Sequence, residues 1–333
     1  MSAAPEPQAA PPNAPPDALT PLARKVCDAM SAGFPDAGPA AGPLEAAALR
    51  AASRAGVGVG ARRPEVHSVT ERLTPLPVRI YDPGPGPGPG PDPDPGPSDR
   101  PLIVFFHGGG WVLCDLDTHD GLCRELAART GAVVVSADYR RAPEHPFPAA
   151  DDDAYAVTEW AADHARELGC DPARLVVAGD SSGGNLAAAT ALRARDTGGG
   201  PPIAAQLLMY PVLDHRLEGE SASSYATGHF HTTAHMRWYW NQYLGPDGDP
   251  VAASPGLAPD LSGLPPALLI LADCDPLRDE GLAYARRLAQ VGVPAEVRLF
   301  PGVFHGFLGA VGVLPEATAA LESMAGWLEG RTN

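Results

Sequence analysis

Positive charge is the first thing the chain is short of: 24 lysines and arginines face 40 aspartates and glutamates, for a formal net charge of −16. Binding to a phosphate backbone needs clustered cations, so nucleic acid is excluded as a partner. Cysteine is scarce as well. Cys27, Cys114, Cys123, Cys170 and Cys274 are odd in number and scattered, and no Cys-x-x-Cys pair offers a zinc or redox site. Reduced thiols in a cytoplasm are the expected state. No apolar run approaches the roughly 18 residues that cross a bilayer. The first basic residue is Arg24, too late for the charged start of a secretion signal, so neither a membrane span nor an export signal is expected. What is present in quantity is apolar surface. With 44% hydrophobic residues in 333 positions, the chain can build one large domain or two modest ones.

Composition divides the chain before periodicity does. The opening MSAAPEPQAAPPNAPP has too little apolar surface to offset its ordering entropy, and residues 1–17 are expected to form a disordered tail. Residues 18–65 follow as amino-terminal helices, with Leu22, Val26, Ala29 and Met30 on one apolar face and Leu44, Ala47, Ala48 and Ala51 on another. VTERLTPLPVRIYD, residues 69–82, mixes alternating β-branched residues with proline, which suits antiparallel edge strands. The repeat PGPGPGPGPDPDPGP, residues 83–97, offers a core nothing and is expected to be a solvated loop.

Beyond it, short apolar runs alternate with helical patterns. The runs are LIVFF (102–106), VVVSA (133–137), RLVVAG (174–179), AAQLLMY (204–210) and ALLILA (267–272). HDGLCRELAART, DDDAYAVTEWAADHARELG, NLAAATALRARD and GLAYARRLAQVG lie between or after them, each with one apolar face. Such alternation predicts an α/β protein with a mostly parallel central sheet flanked by helices. The aromatic and histidine-rich segment 215–245 breaks the rhythm and reads as an insertion over the sheet, dividing a core of 66–214 from its continuation at 246–333.

The stretch VVAGDSSGGN, residues 176–185, places Gly-x-Ser-x-Gly where a buried strand turns into a helix. A sharp turn of this kind pushes the central hydroxyl, Ser181, out at the carboxyl edge of the sheet, and small neighbours let strand and helix approach. The pattern by itself is weak, since a chain this rich in glycine meets it by chance roughly once in five cases. The strand-to-helix context gives it meaning. A serine hydroxyl needs a base, an orienting acid and donors for a tetrahedral oxyanion. His305, in FPGVFHGFLG, is the only one of ten histidines beyond residue 235 and is the candidate base. The strand end ALLILADCDPLRDEG offers Asp273 and Asp275, either of which could reach it; Asp275 is preferred. LIVFFHGGGW ends a strand in three glycines, so Gly108 and Gly109 are the expected oxyanion donors, with the Ser182 amide at the helix start as a third. His107 is expected to hold that loop.

HGGGW, DLDTHDGLCRELA, YRRAPEHPFPAA, GDSSGGN, DPLRDEG and HGF occur in that order between residues 107 and 307. Together they resemble the hormone-sensitive-lipase-like serine esterases of the α/β-hydrolase superfamily, from about residue 68 to the end. The resemblance implies an α/β-hydrolase fold with a helical cap, Ser181 as nucleophile, Asp275 rather than Asp273 as acid, His305 as base, and an oxyanion hole from Gly108, Gly109 and Ser182. It also allows a homodimer through an exposed sheet edge. The chain departs from the family pattern at Cys114, where glycine is usual, at Ser182, where alanine is common, and at Arg141, where leucine is common.

Other conspicuous residues have plainer uses. His229, His231 and His235 carry metal-like spacings but no accompanying carboxylate or thiolate, so no metal is assigned. Trp111, His229 and Phe307 are named as substrate-pocket residues, with core packing as the alternative for the two aromatics. Asp151, Asp152 and Asp153 open a helix and suit its dipole better than calcium. Glu144 and His145 belong to a proline-braced loop. The expected activity is hydrolysis of short- to medium-chain carboxylic esters through an acyl-enzyme, with a small-molecule ester as partner and no cofactor. An amidase or natural-product deacetylase on the same groups is the first rival. A non-catalytic ligand-binding protein of this fold, like the plant gibberellin receptors that lack a working histidine, is the second, and His305 argues against it.

Overall fold

The five apolar runs are strands of a single eight-stranded sheet in the computed structural model, which describes residues 18–33, 43–56, 63–84 and 100–330. The expected tail over 1–17 and nearly all of the Pro/Gly stretch 83–97 lie outside the described residues. In chain order the strands are β1 (Ser68–Leu73), β2 (Pro77–Asp82), β3 (Leu102–Phe106), β4 (Val133–Ala137), β5 (Leu175–Asp180), β6 (Ile203–Met209), β7 (Ala267–Cys274) and β8 (Ala295–Phe304). Their order across the sheet is β1-β2-β4-β3-β5-β6-β7-β8. Strands β3 to β8 run parallel, and β1 and β2 are antiparallel additions, as the proline-rich reading of 69–82 anticipated.

Continuous apolar runs are needed because both faces of the sheet are covered. On β3, Leu102, Val104 and Phe106 enter one core while Ile103 and Phe105 enter the other; on β7, Ala267, Leu269 and Leu271 alternate in the same way with Leu268, Ile270 and Ala272. Helices α4 (Ala149–His164), α5 (Ser182–Asp196) and α8 (Arg278–Gln290) cover the first face. Helices α3 (Asp120–Thr130) and α9 (Pro315–Glu329) cover the second.

Two elements escaped the sequence reading. Strand β8 has a half-exposed first part and contains Pro301 and Gly302, so it lacks the apolar run of its neighbours. Helix α9 is a regular amphipathic helix whose Ala317, Leu321, Met324 and Leu328 close the second core.

The amino-terminal helices exist, α1 (Pro21–Gly33) and α2 (Pro43–Gly56), and Val26 and Met30 pack against the second core as expected, but the rest of the expected faces is not the buried one. Leu19, Ala23 and Cys27 are buried around α1, whereas Leu22 and Ala29 are exposed. On α2, Ala46 and Ser53 are buried and Ala47, Ala48 and Ala51 face solvent. Alanine fits either face of a helix, so polar anchors decide. Arg50 donates to the Val112 and Ala142 carbonyl oxygens at 2.6 and 2.7 Å and to the Glu144 carboxylate, and Arg54 pairs with Asp115. Within 215–245 there are two helices, α6 (Glu220–Ser224) and α7 (Thr233–Leu244).

Candidate active site

Ser181 sits between β5 and α5 with φ +54°, a region that side chains other than glycine avoid. Its N–H donates to the Met209 carbonyl at 2.8 Å, and its carbonyl accepts from Val212 at 3.1 Å. These bonds keep the strained turn in place. The flanking glycines are required by contact rather than by flexibility: a Cβ on Gly183 would stand 1.9 Å from the Phe106 carbonyl oxygen, and one on Gly179 would stand 2.3 Å from the Gly183 backbone.

His305 follows β8 and Asp275 follows β7, so all three side chains leave carboxyl ends of parallel strands. Ser181 Oγ lies 2.9 Å from His305 Nε2, and His305 Nδ1 lies 2.8 Å from Asp275 Oδ2. A carboxylate can only accept, so Nδ1 carries the proton and Nε2 is left to accept from the serine hydroxyl. Asp275 Oδ1 is occupied by the Leu277 N–H at 2.8 Å, and Asp275 and His305 are both buried. Asp273, the other candidate, points away and pairs with Arg278.

The loop after β3 differs from expectation at one position. The Gly108 N–H donates to Asp180 Oδ1 at 2.8 Å and is therefore spent, which removes it from the oxyanion pair read from the sequence. Among the described residues, the N–H groups of Gly109 and Gly110 have no protein acceptor. Both residues have positive φ, +109° and +62°. The Ser182 N–H opens α5, where no carbonyl lies one turn back to receive it. His107 holds the loop as expected: its Nδ1 is 2.8 Å from the Gly108 oxygen, its ring stacks on Tyr139, and the Tyr139 hydroxyl donates to its carbonyl at 2.7 Å. Burial, helped by His119 and Arg141, lowers the His107 pKa to about 3.

The pocket residues separate. Trp111 is buried, with its ring stacked on Tyr243 at 4.0 Å and tilted against Trp240. Phe307 lies fully inside the second core and supports Tyr210, whose ring is 4.9 Å from that of His305. His229 is half-buried, with Nδ1 2.8 Å from the Thr227 carbonyl and its ring edge-on to Tyr225 at 5.1 Å. The ring that meets His305 is His231, edge-on at 5.2 Å and buried. Burial, then the neighbouring His305 and His235, hold its pKa well below that of a free imidazole. His235 closes a capping box with Thr232 at the start of α7. Among the described residues no group of three or more His, Cys, Asp or Glu side chains is placed to hold a metal.

Sequence reasoning missed Gly110, Asp180 and His119, and it named His229 rather than His231 as the pocket histidine. Gly110 and Tyr239 form a close pair, since a Cβ on Gly110 would enter the Tyr239 ring at 2.2 Å. The third glycine of the GGG run and the acid inside Gly-x-Ser-x-Gly were visible as letters, but their partners lie far along the chain, Gly108 being 72 residues from Asp180.

The family description "alpha/beta hydrolase fold" matches residues 103–309, more than half of the chain, and the chain belongs to that family. Within it, the chain is a hormone-sensitive-lipase-like esterase. It is 48% identical over 227 residues to "Esterase LipI" of Mycobacterium tuberculosis, covering 67% of this chain and 70% of the relative. It is 43% identical over 254 residues to "Carboxylesterase NlhH" of the same organism, covering 74% and 76%. A solved hyperthermophilic esterase from Pyrobaculum calidifontis superposes with a TM-score of 0.82 at 38% identity, covering 94% of this chain and 98% of that one.

Proposed function

We propose that the carboxylic-ester hydrolysis of this enzyme runs as a double displacement on Ser181. His305 takes the hydroxyl proton as Oγ adds to the ester carbonyl, and Asp275 stabilises the imidazolium that results. The Gly109, Gly110 and Ser182 amides receive the oxyanion, at the positive end of α5. Collapse expels the alcohol, which takes its proton from His305. Water, deprotonated by the same imidazole, then releases the acid and restores Ser181. The observation that carries this reading is the continuous hydrogen-bonded line from Ser181 through His305 to Asp275, at 2.9 and 2.8 Å.

Ser181→Ala is expected to lower kcat on an aryl acetate by more than about 10³-fold, leaving only the contribution of oxyanion binding and substrate positioning. A fluorophosphonate should label the native protein at Ser181 and leave the variant untouched. Wild-type turnover by the variant would overturn the mechanism.

The substrates are short- to medium-chain esters. Ser181 is only 7% exposed, and the contacts of segment 215–245, with His231 edge-on to His305 at 5.2 Å and the Tyr239 ring against Gly110, support reading it as part of a cap over the site. Turnover across aryl esters from acetate to palmitate should fall steeply with length. The outer edge of β8, with Leu299 44% exposed, is offered as the seam of a homodimer, which a solution mass near twice 34.4 kDa would support and a monomer mass would exclude. A cytoplasmic location suits five free, buried cysteines. No described helix is long and apolar enough to cross a membrane.

A further inference from the structure

The loop 108–111 is tied at both ends by the residues that flank Ser181. Asp180 Oδ1 accepts the Gly108 N–H at 2.8 Å, and Ser182 Oγ accepts the Trp111 N–H at 3.1 Å. Only the two middle amides, Gly109 and Gly110, are left over among the described residues. The fit at Gly108 is close, since a Cβ there would stand 2.5 Å from Asp180 Oδ2.

Asp180 has no part in the triad, yet it is a carboxylate, 7% exposed, immediately before the nucleophile. Burying a carboxylate is costly, and a negative charge beside a developing oxyanion opposes it. The chain has nevertheless built a support for this group. His119, preceding α3, places Nε2 3.2 Å from the same Oδ1, and its Nδ1 is 2.9 Å from Thr118 Oγ1. Thr118 is in turn fixed by its backbone and side-chain bonds with Asp115. Burial raises the Asp180 pKa, but His119, the Gly108 N–H and His107 outweigh it, so the group stays ionised. An ionised acceptor aimed at one loop amide, and braced from behind, has the form of a locating pin.

We propose that Asp180, braced by His119, is the positioning residue of the oxyanion loop: by occupying the Gly108 amide it fixes the register in which Gly109 and Gly110 present theirs to the substrate carbonyl beside Ser181. This rests on Ser181 being the nucleophile, and it adds a residue pair that touches neither substrate nor triad.

The test compares Asp180→Ala, Asp180→Asn and His119→Leu with the native enzyme, using an aryl acetate and two inhibitors of matched shape. A trifluoromethyl ketone adds the Ser181 oxygen to its carbonyl carbon while His305 takes the proton, which creates an oxyanion. The corresponding methyl ketone binds without forming that adduct. Losing the pin should lower kcat about 50-fold in Asp180→Ala with little change in KM, somewhat less than the ~10²–10³-fold cost of removing an oxyanion donor outright. The inhibition constant of the trifluoromethyl ketone should rise by a similar factor while that of the methyl ketone stays put. Asp180→Asn keeps an Oδ1 acceptor for both donors and should recover activity to within about fivefold of native. His119→Leu should cost about fivefold in the same adduct-selective way, and add little when Asp180 is already alanine.

Parallel weakening of both ketones would reveal general distortion and overturn the proposal. So would native kcat in Asp180→Ala, or an asparagine variant no better than the alanine one. Thermal unfolding of each variant checks that it is folded. If the native enzyme itself neither forms the trifluoromethyl ketone adduct nor accepts a fluorophosphonate at Ser181, the nucleophile assignment fails first, and the two failures are told apart.

Discussion

Gly183 illustrates how little room the reacting serine has. A methyl group at this position would overlap the Phe106 carbonyl oxygen at 1.9 Å, and neither β3 nor α5 can retreat without losing the core beneath. Gly183→Ala is therefore expected to destabilise the fold by at least about 4 kcal/mol, in the range of severe overpacking plus backbone strain, or to prevent soluble expression. Equilibrium denaturation checks this, and a variant as stable as the native chain would refute the close-approach argument. The line from Ser181 through His305 was legible because each residue follows a strand and chain order left one histidine, whereas strand ends alone left Asp273 and Asp275 open and the family resemblance chose between them. The proposed oxyanion donors were legible only to within one residue, because what occupies the Gly108 amide is a bond to Asp180, 72 residues on. His229 and His231 show the same limit. Both belong to one aromatic cluster in the sequence, and only the turn geometry around Phe230, at φ +70°, decides which ring faces His305.

Among the elements, the central strands and α3, α4, α5 and α8 could be read from periodicity, whereas β8 could not. A strand open to solvent on one edge does not need a continuous apolar run, and Pro301 costs it nothing it was using in the way a central strand would. The apolar faces assigned to α1 and α2 were misread in part for a related reason: alanine fits either side of a helix, and the orientation of α2 follows from Arg50. That guanidinium links α2 to the Val112 and Ala142 carbonyls, one residue past the GGGW run and one residue past Arg141. Arg50→Ala should cost about 2 kcal/mol, the worth of charged hydrogen bonds to partly buried acceptors. Glu144→Gln should cost less than about 1 kcal/mol, because the Glu144 side chain is 39% exposed and its ion pair is screened by water. Hydrogen exchange should speed up in residues 43–56 in the first variant and scarcely in the second; equal protection in both would dismiss Arg50 as the clasp.

At the scale of the molecule, stability should be lost on the acid side. His107 titrates near 3 in the folded protein because it is buried beneath the loop, against about 6.5 for an exposed imidazole. The unfolded chain therefore binds a proton that the native state refuses, so this contribution is intact above about pH 6.5 and declines as pH falls toward 3. His231 adds in the same direction. Denaturation at a series of pH values should show the decline beginning near pH 6, and His107→Gln should flatten it whatever its stability at pH 7. An identical slope in the variant would assign the acid loss to other groups.

The placement of Ser181, Asp275 and His305 one residue past the ends of β5, β7 and β8 has an evolutionary corollary. Their spacing is inherited from a rigid sheet, whereas the rings above them come from α7 and the turn before it, elements with no strand to obey. Transplanting 215–245 from a related enzyme is thus a route to new acyl preferences with the proton relay left alone, provided that the graft keeps a flat ring where Tyr239 lies on Gly110.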